Sequence, residues 1–250
     1  MDALLPTHRG FGLIGYPLSH SFSQRFFTEK WAREGVRDCS YELFPISHIR
    51  DFPDVLARHP YLVGLNVTIP YKEAVIAYLH ELSEAAKTVG AVNVIAIRQG
   101  KLTGYNSDVF GFEQALSPHL KPWHRQALVL GTGGAAKAVV YVLQQFGINY
   151  RMVSRTSGIN TLNYKQITPD IMNETGLIIN TTPLGMYPQV ERCPDLPYHA
   201  VTDRHLFFDL IYNPEKTLFL QRAEQNGALI LNGYQMLVLQ AEKSWEIWNR

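Results

Sequence analysis

The chain has 250 residues, of which 46% are hydrophobic and 18% charged, and its formal net charge at pH 7 is +1. This composition is typical of a globular protein with one or two domains and a sizeable core. The lysines and arginines are scattered, which argues against nucleic acid or an anionic membrane as the main partner. No apolar run approaches the roughly 20 residues that a membrane-spanning helix needs.

The N-terminal segment and the cysteines favour a cytoplasmic protein without a metal site. Pro6, His8 and Arg9 stand where a signal peptide has its apolar centre. Cys39 and Cys193 are far apart and have no Cys-x-x-Cys spacing. Two reduced thiols explain them better than a disulfide or a metal site does.

A serine-rich loop follows the first predicted strand. Residues 11–15 predict this strand, and the Gly, Pro and Ser residues after it predict a loop. Ser21 or Ser23 is expected to cap a helix at Phe22–Glu34, whose apolar residues recur at helical spacing. Capping uses one serine and leaves the others available to a ligand.

The segment from Asn66 to Lys72 is predicted to join a strand at 61–68 to a helix. Pro70 suits the first turn of that helix. Lys72 would then lie at a helix N-terminus beyond the carboxyl end of a strand, the edge at which ligands bind in open α/β sheets. A helix N-terminus disfavours a cation, so a carboxylate or a ligand should compensate it. An ordinary solvated lysine is the alternative.

Two polar residues on predicted helices also have ordinary structural explanations. Asp108 stands in a first turn, after Asn106 or Ser107 as the cap, and a carboxylate there complements the helix dipole. Gln240 lies among apolar neighbours in the last helix, where helix pairing would explain it. The remaining predicted elements are strands at 40–44, 91–98, 102–105, 150–154, 177–181, 206–210 and 229–231, and helices at 51–58, 83–88, 108–116, 217–226 and 232–248.

A glycine cluster at 127–136, with the sequence ALVLGTGGAA, predicts a buried strand, a tight turn and the start of a helix at 135–146. Gly131 and Gly133 permit backbone angles that side chains forbid and let a pyrophosphate approach the main chain. The helix N-terminus offers free N–H groups and the positive end of its dipole. An ordinary strand-to-helix turn is the alternative, but the flanking strand and helix favour a dinucleotide site.

The end of the next predicted strand favours NADP over NAD. An Asp or Glu about 20 residues past Gly131 would bind the ribose 2′-hydroxyl of NAD. The chain has Ser154, Arg155 and Thr156 there instead. A guanidinium with neighbouring hydroxyls is suited to a 2′-phosphate.

Seven motifs in order give the chain a family resemblance. They are GxPxxHSxS, NVTIPYK, GAVN, NSD, GTGGAA, SRT and GYQMLVxQA. From about residue 12 to about residue 248 the chain resembles the shikimate dehydrogenase family. The resemblance implies an α/β protein with an N-terminal substrate-binding and catalytic domain, residues 1–106 with the C-terminal helix 233–250. A Rossmann-type NADP-binding domain, residues 107–232, would follow, with a cleft between the two.

The resemblance also implies the site residues. Lys72 and Asp108 would form the catalytic pair. The implied substrate-binding residues are Ser21, Ser23, Asn66, Thr68, Asn93, Tyr212 and Gln240. The implied cofactor-binding residues are Gly131, Gly133, Gly134, Ala135, Ser154, Arg155, Thr156, Thr181, Met186 and Gly233.

The activity implied is the reversible, NADPH-dependent reduction of 3-dehydroshikimate to shikimate, in the biosynthesis of chorismate and the aromatic amino acids. Hydride reduction of a ketone leaves an alkoxide that must receive a proton. An ammonium both polarises the oxygen and can supply the proton, and the route between Lys72 and Asp108 stays open. The partners implied are the small-molecule substrate and NADP, with no nucleic acid or membrane, in a cytoplasmic monomer or homodimer.

Several residues depart from the family pattern. Gln24 stands where the family often has Pro, and Ala136 replaces the third glycine of the dinucleotide motif. A second arginine common after Arg155 is missing, which leaves the strength of the NADP preference open. The short stretch between Arg155 and Leu177 suggests that one crossover is trimmed.

Two alternative functions remain at this level. One is the same fold acting on quinate with relaxed NAD and NADP use. The other is a non-catalytic, nucleotide-sensing relative, which an intact Lys72 and Asp108 pair disfavours.

Overall fold

The chain divides into two units, Met1–Ser107 with Ala241–Arg250 and Asp108–Gln240. The computed structural model describes residues 8–18 and 21–250. Among these residues each unit contains one six-stranded sheet with helices, so the predicted α/β class is confirmed. The predicted domain ranges themselves stay a prediction. Over the same described residues, no helix combines the length and apolar character needed to cross a membrane.

The first sheet has the strand order β2-β1-β3-β5-β6-β4, and only β5 runs against the others. The carboxyl ends of the other strands and the amino end of β5 therefore share one edge. The strands are β1 (Arg9–Gly15), β2 (Cys39–Pro45), β3 (Leu62–Val67), β4 (Glu81–Leu82), β5 (Val94–Arg98) and β6 (Lys101–Tyr105). The helices are α1 (Phe22–Glu34), α2 (Phe52–Arg58) and α3 (Glu84–Val89).

The C-terminal residues 241–250 pack on this sheet. A Cβ at Gly64 would collide with the Trp248 indole, whose Nε1 donates to the Ile95 carbonyl at 3.0 Å. The buried Lys30 ammonium lies 2.7 Å from a Glu242 carboxylate oxygen, and the Phe11 ring centroid lies 4.8 Å from that of Trp248. Apolar contact and an ion pair whose ammonium is buried thus fix this segment in the first unit.

The residues after Pro70 form a turn and a 3-10 segment, Ala74–Tyr78, and the predicted α-helix there is wrong. In an α-helix the Lys72 carbonyl would accept from residue 76. It accepts instead from the Val92 N–H at 2.7 Å, and the Ile76 N–H donates to the Glu73 carbonyl at 3.2 Å. Because Lys72 precedes this segment in a turn, the helix-dipole argument for its position does not apply.

The second sheet is wholly parallel, in the order β12-β11-β10-β7-β8-β9. With β7 to β12 numbered 1 to 6 and the sheet followed from β9 to β12, the order is 3-2-1-4-5-6, the doubly wound order of dinucleotide-binding domains. The strands are β7 (Gln126–Leu130), β8 (Asn149–Ser154), β9 (Thr161–Asn163), β10 (Leu177–Asn180), β11 (Leu206–Asp209) and β12 (Leu229–Leu231). The helices that complete the chain are α4 (Ser107–Leu116), α5 (Gly134–Gln145), α6 (Pro169–Glu174), α7 (Leu218–Gln225) and α8 (Tyr234–Trp248).

The short crossover between β8 and β10 still contains β9 and α6. The sequence pattern predicts neither element, because a three-residue strand and a six-residue helix are too short for a periodic signal. The crossover is brief, but the sheet retains all six strands of the doubly wound order.

A buried carboxylate ties β10 and β11 together at their carboxyl ends. Asp209 accepts hydrogen bonds from Thr217 Oγ1 at 2.5 Å, Asn180 Nδ2 at 3.0 Å and the Ile211 N–H at 3.1 Å. Asn180 Oδ1 in turn accepts from the backbone N–H and the hydroxyl of Thr182. Burial raises the pKa of Asp209 from its ordinary value of 3.8 to about 6, and the three donors oppose that rise.

The raised pKa of Asp209 predicts a pH-dependent stability. Between its unfolded and folded pKa values the folded chain holds a proton that the unfolded chain has released, so ionisation costs stability. Relative to Asp209→Asn, the wild type should lose on the order of 2 kcal/mol of unfolding free energy from about pH 4 to about pH 7. Urea unfolding across this range measures the difference.

The exposed Asp203→Asn is the control for the substitution itself. A wild-type advantage over Asp209→Asn that stays constant across the pH range would contradict the raised pKa.

Candidate functional site

Backbone hydrogen bonds gather Lys72 and three of the predicted substrate residues, Asn66, Thr68 and Asn93, at one sheet edge. The Thr68 N–H donates to the Ile14 carbonyl at 2.9 Å, which joins the ends of β3 and β1. The Val67 N–H donates to the Asn93 carbonyl at 2.9 Å, just before β5. Together with the bond from Val92 to the Lys72 carbonyl, these contacts hold three loops side by side.

Ser21 is the cap of α1. Its Oγ accepts from the Gln24 N–H at 3.2 Å, while the Gln24 Nε2 donates to the Tyr41 carbonyl at 3.3 Å. A hydroxyl has one donor and two acceptor sites, so the Ser21 proton remains available to a carboxylate. Ser19 and His20 of the predicted loop lie outside the described residues.

The two predicted asparagines belong to a buried hydrogen-bonded network. Asn66 Oδ1 accepts from the Tyr41 hydroxyl at 2.7 Å, and Asn66 Nδ2 donates to Ser244 Oγ at 3.0 Å and to the Asn93 carbonyl at 3.3 Å. Asn93 Nδ2 donates to Ser107 Oγ at 3.0 Å, and its Oδ1 accepts from the Ser107 N–H at 2.6 Å.

Tyr41, Ser107 and Ser244 thus support residues that the motifs named, although only Ser107 stands in a motif. In the sequence Tyr41 has the pattern of an ordinary aromatic residue of a strand. Ser244 is separated from Asn66 by 178 residues. Short-range patterns carry no signal for such contacts.

The two predicted catalytic residues belong to different units. Lys72 is half-buried in the turn that follows β3, and Asp108 is buried in the first turn of α4. Three residues after Asp108, a Cβ at Gly111 would lie 2.6 Å from the Met236 carbonyl oxygen and 3.1 Å from Gln240 Cβ. Helices α4 and α8 therefore pack closely, and Asp108 and Gln240 lie near this contact.

At the switch point of the second sheet, β7 lies between β8 and β10. Gly131 has a φ of +108°, and a Cβ there would lie 2.6 Å from Thr181 Oγ1. The Thr181 N–H and hydroxyl both donate to the Leu130 carbonyl, at 2.9 and 2.7 Å. Only glycine suits this position, since both the backbone angle and the close approach exclude a side chain.

The next two glycines leave space in front of α5. Within the described part of the chain, no heavy atom outside the neighbouring backbone lies within 4 Å of a Cβ built at Gly133 or Gly134. Gly133 is the N-cap of this 12-residue helix and supplies no side-chain cap, and the first turn carries no acidic residue. Open space, uncapped N–H groups and a positive dipole end fit a pyrophosphate.

The other predicted cofactor residues lie at or near the carboxyl edge of the second sheet. Arg155 and Thr156 are exposed just beyond β8, and Ser154 pairs with Asn163 of β9. Met186 is exposed after β10. A Cβ at Gly233 would collide with the Leu210 backbone, so this glycine lets the chain before α8 pass close to β11.

Tyr212, predicted to contact substrate, follows β11 in the second unit and is 40% exposed. Partial burial raises the pKa of Tyr212. At neutral pH the phenol therefore stays protonated and can donate a hydrogen bond.

Comparisons with known proteins agree with these features. The family model described as the shikimate dehydrogenase substrate binding domain matches residues 13–95. Shikimate dehydrogenase (NADP(+)) of Desulforamulus reducens is 34% identical and aligns with 95% of this chain and 88% of its own. The protein of the same name from Methanosphaera stadtmanae is 32% identical, over 95% of this chain and 90% of its own.

Solved structures agree over nearly the whole length. A chorismate mutase/shikimate 5-dehydrogenase fusion protein from Clostridium acetobutylicum has a TM-score of 0.85 and 34% identity, covering 97% of this chain and 91% of its own. Shikimate 5-dehydrogenase from Thermus thermophilus, in complex with NADP(H) and shikimate, has a TM-score of 0.84 and 29% identity, covering 96% and 93%. The chain belongs to the shikimate dehydrogenase family.

Proposed function

We propose that this protein is an NADP-dependent shikimate dehydrogenase, which reversibly reduces the ketone of 3-dehydroshikimate to the alcohol of shikimate. The reaction serves the biosynthesis of chorismate and the aromatic amino acids. The observation that carries the proposal is the gathering of Asn66, Thr68, Lys72 and Asn93 at one sheet edge, in a chain of this family. Those residues supply a cation and several hydrogen-bonding groups for a polyhydroxylated ring.

NADPH, when bound, supplies the hydride for the ketone carbon. Gly131, Gly133, Gly134 and Ala135 would hold its pyrophosphate against the start of α5. Arg155, with the hydroxyls of Ser154 and Thr156, would bind the 2′-phosphate. Residues nearer the nicotinamide would be Thr181, Met186 and Gly233.

We assign the proton chemistry to the Lys72 ammonium and the Asp108 carboxylate. Reduction places negative charge on the former carbonyl oxygen, and an ammonium stabilises that charge and can donate a proton. Lys72 Nζ would supply this interaction at the oxygen. Asp108 would balance the ammonium charge and hydrogen-bond a neighbouring substrate hydroxyl.

The remaining polar residues would orient the substrate. Ser21 and Ser23 would donate to its carboxylate, assisted by the Tyr212 phenol. The side chains assigned to the ring hydroxyls are those of Asn66, Thr68, Asn93 and Gln240.

Quinate oxidation is the second candidate, favoured by one comparison. Quinate dehydrogenase from Corynebacterium glutamicum in complex with NAD has a TM-score of 0.85 and 26% identity to this chain. The lone Arg155 also leaves room for some use of NAD. Turnover of both substrates with both nucleotides separates this candidate from the first.

We further propose a cytoplasmic monomer or homodimer whose partners are small molecules. Cys39 and Cys193 are both free and partly buried, which agrees with a reducing compartment.

The turnover assay tests the proposal directly. The wild type should oxidise NADPH with 3-dehydroshikimate, and Lys72→Ala should lower kcat by about a thousandfold, the scale of a lost proton donor. Lys87→Ala, an exposed lysine on α3, is the matched control and should retain activity. Full activity of Lys72→Ala would refute the catalytic assignment, and NADPH binding without wild-type turnover would favour a nucleotide sensor.

Gly133→Ala tests the pyrophosphate site. The substituted Cβ meets open space in the protein and φ there is −80°, so the fold should tolerate it. It would occupy the space assigned to the pyrophosphate, so the KM for NADPH should rise by about tenfold or more. The KM for 3-dehydroshikimate serves as the internal control, and an unchanged KM for NADPH would place the cofactor elsewhere.

Arg155→Ala tests nucleotide selection. Loss of a charge-assisted contact with the 2′-phosphate should raise the KM for NADPH by about tenfold and leave that for NADH nearly unchanged. Arg151→Ala, an exposed arginine of β8, is the control. An equal loss with both nucleotides would show that Arg155 does not select the 2′-phosphate.

A further inference from the structure

Tyr41 is a buried residue of β2 that contacts one of the proposed substrate residues. Its hydroxyl donates to Asn66 Oδ1 at 2.7 Å. Its ring stacks on Phe27, with centroids 5.1 Å apart and an interplanar angle of 17°. The strand, the ring contact and the hydrogen bond together position the hydroxyl against Asn66.

The direction of this hydrogen bond follows from counting protons. A phenol has one proton, and Tyr41 donates it to Asn66 Oδ1, which as an amide oxygen can only accept. Burial raises the pKa of Tyr41, so the phenol stays protonated at neutral pH. The contact therefore places Oδ1, rather than Nδ2, of Asn66 on the Tyr41 side.

Asn66 is constrained from its other side as well. Its Nδ2 donates hydrogen bonds to Ser244 Oγ at 3.0 Å and to the Asn93 carbonyl at 3.3 Å. The side chain is only 5% exposed. The capacity that remains is one lone pair on Oδ1, so Asn66 can accept a hydrogen bond from a substrate hydroxyl but has no proton to donate.

We propose that Tyr41 is a positioning residue that orients the hydroxyl-binding Asn66 with Oδ1 as the acceptor. The inference rests on the proposed function, because Asn66 matters only as a substrate contact. Ser244 supports the same orientation of Asn66 from the opposite side.

Tyr41→Phe removes the hydroxyl and retains the ring. The expected result is a rise of about tenfold in the KM for 3-dehydroshikimate, with kcat and the KM for NADPH changed less than about twofold. Calorimetric titration with shikimate should show the same loss of affinity without turnover. Tyr61→Phe is the matched control, because its hydroxyl bonds Glu42 and His59 at the opposite end of β3.

The remaining outcomes are also decisive. A lower melting temperature with equal rises in both KM values would reduce Tyr41 to a structural role and overturn the proposal. If Tyr41→Phe does not fold, Ser244→Ala must show the same KM split, and an unchanged substrate KM there overturns it. A wild type without turnover or shikimate binding refutes the proposed function and this inference together, whereas an active wild type with an unaffected Tyr41→Phe refutes this inference alone.

Discussion

The packing of residues 241–248 on the first sheet is the contact on which the substrate edge depends. Lys30 of α1 is buried, and a buried ammonium without a partner costs several kcal/mol. Its contact with Glu242 holds α1 against the C-terminal helix, while Glu34 is a second partner within α1. Ser244 Oγ on that helix then accepts a hydrogen bond from Asn66 Nδ2. A segment at the far end of the chain thereby sets the orientation of an amide at the end of β3. Loss of that packing would leave buried polar groups without partners as well as exposing apolar surface.

The second unit depends on a steric constraint rather than on an ion pair. Strand order puts β7 beside β10, and the chain can leave β7 past Thr181 only because Gly131 lacks a side chain. Asn180 and Asp209 then fix the backbone on the far side of the same crevice through Thr182. Hydrogen bonds within the protein therefore define both sides of this crevice without a nucleotide. The uncapped N–H groups at the start of α5 are then placed to bind an anion without the cost of ordering a loop.

Local pattern was sufficient for most elements and insufficient for contacts that cross the sequence. The helix Phe22–Glu34 and the strand Leu229–Leu231 begin and end where the pattern predicts, because caps and apolar spacing are local signals. The turn at Lys72 could not be predicted, because the Lys72 carbonyl accepts a hydrogen bond from the N–H of Val92, a residue of another loop. The hydrogen bond from Tyr41 to Asn66 likewise joins two strands whose adjacency only the folded sheet establishes.

Gln24 shows how a departure from the family pattern acts physically. Proline has no N–H. A residue such as Gln24 can therefore complete the Ser21 cap, because its backbone N–H donates a hydrogen bond to Ser21 Oγ. Accepting that bond polarises the Ser21 hydroxyl and strengthens it as a donor. The same residue's amide bonds the Tyr41 backbone, which anchors the start of α1 to β2. The substitution therefore replaces the stiffness of a proline ring with two hydrogen bonds, and both converge on the serine loop and on the strand that carries Tyr41.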